Sequence, residues 1–84
     1  MFYTYILKSL VNGSYYVGST SNIESRLILH NKDFVVSTKR YCPWELLYSE
    51  EYIDLKLARQ REIQIKSWKK RAKIEELLKH YKIF

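Results

Sequence analysis

Cysteine, proline and glycine are nearly missing from this 84-residue chain: Cys42 and Pro43 are single, and Gly13 and Gly18 are the only glycines. One cysteine can build neither an intrachain disulfide nor a cysteine-based zinc site, and so little glycine and proline leaves no low-complexity linker. No secretory n-region and apolar h-region open the sequence, and no apolar run approaches the roughly 20 residues of a membrane span. These absences point to the cytoplasm and away from membranes. No internal repeat is visible, and the length suits one domain, 1–84, with a single small core.

What the chain does contain is apolar and basic. Hydrophobic residues make up 46% and aromatic residues 15%, enough for a folded, aromatic-rich core. Fifteen Lys and Arg against nine Asp and Glu leave a formal charge of +6. The cations gather at Lys39 and Arg40 and in "KSWKKRAK", which contains Lys66, Lys69, Lys70 and Arg71. A basic face attracts polyanions through phosphate contacts and counterion release, so nucleic acid is the leading expected partner and an acidic membrane surface the second. A solvated helix face would have the same composition.

Local patterns predict six elements. "FYTYILKS" and "YYVGST" read as the strands of a hairpin around Asn12-Gly13, with Gly18 ending the second strand early. Ser21 and Glu24 have capping-box spacing and predict a helix to about Asn31. A polar, basic connection from Lys32 to Pro43 reads as a mobile rim. "WELLYSEEY" (Trp44 to Tyr52) predicts a third strand, Asp54 caps a long helix, and a second helical stretch follows a bend near Ser67 and Trp68. The expected fold is α/β of the α+β kind: a small, mainly antiparallel three-stranded sheet flanked by helices, in the order β-β-α-β-α-α.

Several polar residues stand where apolar ones belong. On a helical wheel Glu62 falls within the arc of Leu55, Ala58 and Ile65, where a carboxylate needs a cation, several donors or a metal ion. A structural ion pair would satisfy it equally well. Arg26 and His30, four residues apart, share a helix face beside Ile23 and Leu27 and could hold one phosphate between them; a partly buried structural histidine is the alternative. Tyr5 and Tyr16 could point to one face of the hairpin. Gly18 would leave room beside Tyr16 for a phosphate, while Tyr15 reads as packing.

Taken together these residues resemble the GIY-YIG nuclease domain. "YTY" (Tyr3 to Tyr5) stands at the first motif, with Tyr3 in place of its glycine, and "YVG" (Tyr16 to Gly18) stands at the second. Arg26 and His30 match the family's R-x-x-x-H, and Glu62 in "LARQRE" matches its metal-binding glutamate. The ordered pieces "YILKS", "GSYYVGST", "LLYSEE" and "EIQIKSW" are most similar to short, stand-alone bacterial members. No asparagine follows Glu62, unlike many longer members, which bears on substrate positioning.

The resemblance implies a divalent-metal-dependent endonuclease hydrolysing DNA phosphodiesters, in a setting such as repair or recombination. It implies Mg²⁺ or Mn²⁺ held by Glu62, with Arg26 aiding charge stabilisation and Tyr5, with Tyr16 nearby, orienting or deprotonating the attacking water. Tyr5 would need its pKa lowered from about 10 to about 7.5, worth roughly 3.4 kcal/mol. One cation about 4 Å away supplies about 4 kcal/mol at an effective dielectric near 20, so Arg26 or the metal suffices on that argument. His30 is the other candidate for final proton acceptor. A non-catalytic nucleic-acid-binding module that keeps the same fold is the competing expectation.

Overall fold

The computed structural model describes residues 1–32 and 41–81. Its elements are β1 (Phe2–Ser9), β2 (Tyr15–Thr20), α1 (Ile23–Asn31), β3 (Trp44–Tyr52), α2 (Leu55–Ser67) and α3 (Arg71–Tyr81). The strands form one antiparallel sheet in the order β2-β1-β3, an α+β arrangement that matches the sequence pattern. Lys39, Arg40 and most of the expected rim lie outside the described residues.

β1 is central because Thr4 to Leu7 form an unbroken buried run, the pattern of a strand covered on both faces. Register then sorts the side chains: Tyr5 pairs with Gly18 and Leu7 with Tyr16, so these four share one face, while Ile6 and Val17 share the other. On the first face Tyr5, Leu7 and Trp44 pack with Ile23 and Leu27 of α1. On the second, Ile6, Val17, Tyr48 and Ile65 pack with Trp68 and with Ile74, Leu77 and Leu78 of α3. A bulge opposite Ile6 and Leu7 skips Leu47, which allows Leu47 and Tyr48 to join the same cluster.

Buried polar groups on β1 are all satisfied. Thr4 Oγ1 donates to the Ala58 carbonyl at 2.6 Å, fixing α2 against the sheet. Ser9 Oγ donates to the Tyr41 carbonyl and accepts from Val11 and Asn12 amides, which organises the turn. Asn31 then ties α1 to β3, accepting the Trp44 amide at 2.6 Å and donating to its carbonyl at 3.2 Å. Asp54 caps α2 by accepting the Leu57 amide at 2.9 Å, as its sequence position predicts.

The hairpin turns around Asn12-Gly13, as expected, in a loop where the Gly13 N–H donates to the Ser9 carbonyl and Gly13 alone takes the left-handed region, at φ 76°. Two local expectations are corrected. β2 runs through Gly18 to Thr20, so Ser21 falls in the connection and cannot cap α1. Asn22 takes that place, accepting the Ser25 amide at 3.0 Å. Finally, Gly18 does not turn the chain away beside Tyr16. A Cβ on it would lie 2.6 Å from the Tyr5 hydroxyl oxygen, so the missing side chain makes room for Tyr5.

At the other side of the sheet, Glu50 collects hydroxyls from Tyr48 and Tyr52 and a forked contact from Arg61 at 2.9 and 3.1 Å. Arg61 also lies 5.6 Å from the Trp68 ring, which joins this network to the end of α2. Burial alone would raise the Glu50 pKa, but the bonds from Arg61 and the two tyrosines outweigh it and hold the carboxyl below its ordinary value.

Because Tyr5 is 2% exposed and cannot retreat, Gly18→Ala overpacks the sheet and costs about 1–3 kcal/mol in urea unfolding; an unchanged midpoint would contradict the close approach. Glu50→Gln costs about 1–3 kcal/mol at neutral pH. The Glu50 contribution is present above the unfolded carboxyl pKa near 4.5 and is lost as pH falls through its lower folded value. Unfolding measured from pH 6 to pH 3 should therefore fall less steeply in the variant than in the parent.

Candidate active site

A cleft of about 310 Å³ opens at edge strand β2, where α1 and α2 approach it from opposite faces of the sheet. Tyr5, Tyr16 and Gly18 supply its hairpin wall and Arg26 projects from α1. Glu62 and Arg59 enter from α2, and Ser19 stands between the two groups. Five of the residues singled out in the sequence therefore meet in one place: Tyr5, Tyr16, Gly18, Arg26 and Glu62.

Tyr5 is fixed from behind. Its hydroxyl lies 3.1 Å from His30 Nε2, and both residues are buried. The expectation that His30 and Arg26 grip one phosphate is corrected, because His30 is 0% exposed and lies behind Tyr5 rather than in the cleft wall. The one-turn spacing from Arg26 stands; the imidazole instead joins the aromatic layer, 4.7 Å from the Tyr16 ring centre and roughly edge-on to it. Burial, then the Arg26 charge, lowers the His30 pKa to about 4, so the ring is neutral at pH 7.

Arg26 alone does not lower the Tyr5 pKa. Burial raises its pKa to about 12, and the neighbouring Arg26 guanidinium only partly offsets that. The Arg26 cation by itself does not outweigh the desolvation of a phenol that the sheet almost fully encloses. Arg26 itself is stabilised as a cation chiefly by the Tyr5 hydroxyl, against the effect of burial. Its Nε is buried with no hydrogen-bond partner among the described residues, an unsatisfied donor in the wall of a polar cleft.

Glu62 is neither free nor simply exposed. One carboxylate oxygen accepts from Ser19 Oγ at 2.6 Å and the other from Lys66 Nζ at 2.6 Å. Both alternatives raised by the sequence are thus present together, since the glutamate has an ion-pair partner and also faces the cleft. The sequence places Lys66 on a nucleic-acid surface, yet its ammonium points back to Glu62 and lies 6.0 Å from the Tyr16 ring.

Arg59 and Ser19 were not singled out from the sequence. Arg59 stands one turn before Glu62, a spacing that would have placed it on the same helix face. Ser19 carries no such local signal, because its meeting with Glu62 depends on how α2 crosses the sheet. The remaining cations, Lys66 among them, border a second hollow of about 350 Å³ that shares Tyr16 with the first. Lys69 and Lys70 are exposed there, whereas Arg71 packs 4.5 Å from the Tyr15 ring and bonds Glu75 and the Gly13 carbonyl. Tyr15 packs against the α2–α3 side of the core, as expected. Among the described residues no helix is long and apolar enough to cross a membrane.

Comparison with known proteins agrees with this arrangement. A UPF0213 protein of Bacillus pumilus is 35% identical over 79 residues, which span 89% of this chain and 80% of the relative. A UPF0213 protein of Staphylococcus haemolyticus is 35% identical over 74 residues, or 87% and 89% of the two chains. The solution NMR structure of a UPF0213 protein from Bacillus halodurans superposes with a TM-score of 0.61 at 26% identity, covering 96% of this chain and 86% of that one. Residues 1–75 match the model of the GIY-YIG catalytic domain, and the chain therefore belongs to the GIY-YIG family, within the nuclease superfamily that bears that name.

Proposed function

We propose that the protein is a divalent-metal-dependent endonuclease that hydrolyses DNA phosphodiester bonds, with repair or recombination as its setting. The observation that carries this reading is the Tyr5–His30 contact in a cleft whose other walls hold Arg26 and Glu62. A tyrosine backed by a neutral imidazole can handle a proton, and a cation and a carboxylate beside it suit a phosphodiester.

The donor set fits a hard divalent ion of the Mg²⁺ or Mn²⁺ kind. No group of three His, Cys, Asp or Glu side chains is clustered among the described residues, so protein ligands alone would not complete a coordination shell. One carboxylate facing an open polar cleft suits an ion that draws its other ligands from water and substrate phosphate. Bound at Glu62, such an ion would supply positive charge to the scissile phosphate and the leaving oxygen. Ser19 keeps the Glu62 carboxylate turned toward the cleft.

Arg26 would place its unsatisfied Nε donor on a phosphate oxygen, which makes good the buried orphan and adds charge where the transition state gains it. Tyr5 need not exist as a standing phenolate. With its pKa near 12 it keeps its proton at neutral pH, but it can take a proton from water while passing its own to His30 Nε2 at 3.1 Å. The neutral ring, in the tautomer protonated at Nδ1, is the acceptor such a relay requires. Tyr16 packs against His30 and keeps the relay dry. Lys69 and Lys70, with Lys39 and Arg40 outside the described residues, are assigned to substrate contact.

Purified protein incubated with nicked, branched, duplex and single-stranded DNA and Mg²⁺ or Mn²⁺ should cut at least one substrate. Glu62→Gln should cut at least about 100-fold more slowly. Cleavage by neither protein, with equal DNA binding, would instead identify a non-catalytic binding module. Tyr5→Phe removes the relay hydroxyl and should also lower the cleavage rate about 100-fold or more at unchanged DNA affinity. An NMR titration of His30 should give a midpoint near 4; a midpoint near 6.5 would mean a solvated ring and would remove the basis for the relay.

A further inference from the structure

We propose that Lys66 is the built-in counter-cation of the metal site, holding Glu62 until a divalent ion arrives and then transferring its ammonium to a substrate phosphate. This rests on the reading of Glu62 as the metal ligand. The two partners of that carboxylate differ in kind. Ser19 is a neutral hydroxyl on a strand, whereas Lys66 is a charge at the end of a flexible four-carbon stem.

An ordinary Glu-Lys pair one helical turn apart lies on a solvent face. Here the Glu62 side chain is 19% exposed and faces the cleft, and Lys66, at 50%, reaches inward to it and toward Tyr16. The ammonium thus holds one of the two carboxylate oxygens, with Ser19 on the other, so neither oxygen is left without a partner for an incoming metal cation. Two cations cannot share one oxygen at close range, so metal binding must displace the lysine. Displacement costs little, because half-exposed ion pairs of this spacing are weak.

Once released, the ammonium is still anchored on α2, where Lys66 lines the second basic hollow next to Tyr16, the residue that the two hollows share. A phosphate there would hold it away from Glu62 and so favour metal entry; by linkage, the metal would favour phosphate binding to the same degree. Lys66 would therefore make metal affinity depend on substrate. A lysine whose role was only to steady Glu62 would have the opposite effect, since its loss would loosen the ligand.

Mn²⁺ binding to the whole protein without DNA, followed by the electron spin resonance signal of free Mn²⁺, separates the two. Lys66→Gln should bind Mn²⁺ about two- to fivefold more tightly than the parent, the range set by an exposed ion pair. Lys66→Arg should match the parent, and so should Lys69→Gln, which removes a nearby charge that has no ion-pair partner among the described residues. Unchanged or weaker binding by Lys66→Gln would overturn the proposal, as would equal tightening by Lys69→Gln. Glu62→Gln serves as a separate control: if it binds Mn²⁺ as the parent does, Glu62 is not the ligand and the nuclease reading fails for that reason. A phosphorothioate-protected DNA duplex should raise the Mn²⁺ affinity of the parent more than that of Lys66→Gln; equal enhancement would overturn the phosphate step.

Discussion

The approach of the Tyr5 side chain to the backbone of Gly18 is the constraint on which the rest of the structure depends. It allows a large phenol to lie flat across a neighbouring strand in the middle of a sheet. With Tyr5 in that position its hydroxyl meets His30, Arg26 has a polar neighbour at the core edge, and the cleft has a floor. Any side chain at residue 18 would require the ring to move, and the closely packed interior offers it no alternative site.

The second constraint is charge. A sheet this small buries much of its central strand and cannot solvate an ionised tyrosine or imidazole there, so Tyr5 and His30 both favour their neutral forms. That shared neutrality is what makes the pair suited to moving a proton rather than storing charge. The ions are kept nearer the rim, where Arg26, Arg59, Glu62 and Lys66 retain access to water and to a polyanion. Desolvation thus divides the work between an uncharged interior pair and a charged border.

Much of this was legible in the sequence wherever the signal was local. Alternation and turn residues placed the three strands, Asp54 marked the start of α2, and the wheel position of Glu62 marked it as unusual. The family pattern then gathered Tyr5, Tyr16, Arg26 and Glu62, and the fold brings these four to one cleft. What could not be read depended on distances between elements. The capping spacing of Ser21 and Glu24 was real but was pre-empted by the length of β2, and no pattern shows that Gly18 faces a phenol rather than a ligand. That Arg26 alone leaves the Tyr5 pKa raised is hidden for the same reason, since burial belongs to the assembled sheet and not to the residue.

The division of the cleft between the two faces of the sheet has a consequence for the newly made chain. Tyr5 and Arg26 are placed by the packing of α1, whereas Glu62 is placed by α2 on the other side. Neither half holds the full set, and the residues for both are spread from the first strand to the fifth element. A chain still emerging from the ribosome, or one with either helix undocked, carries every chemical group without assembling a reaction centre. On the nuclease reading, completion of the fold is itself the safeguard that keeps immature copies harmless to the genome.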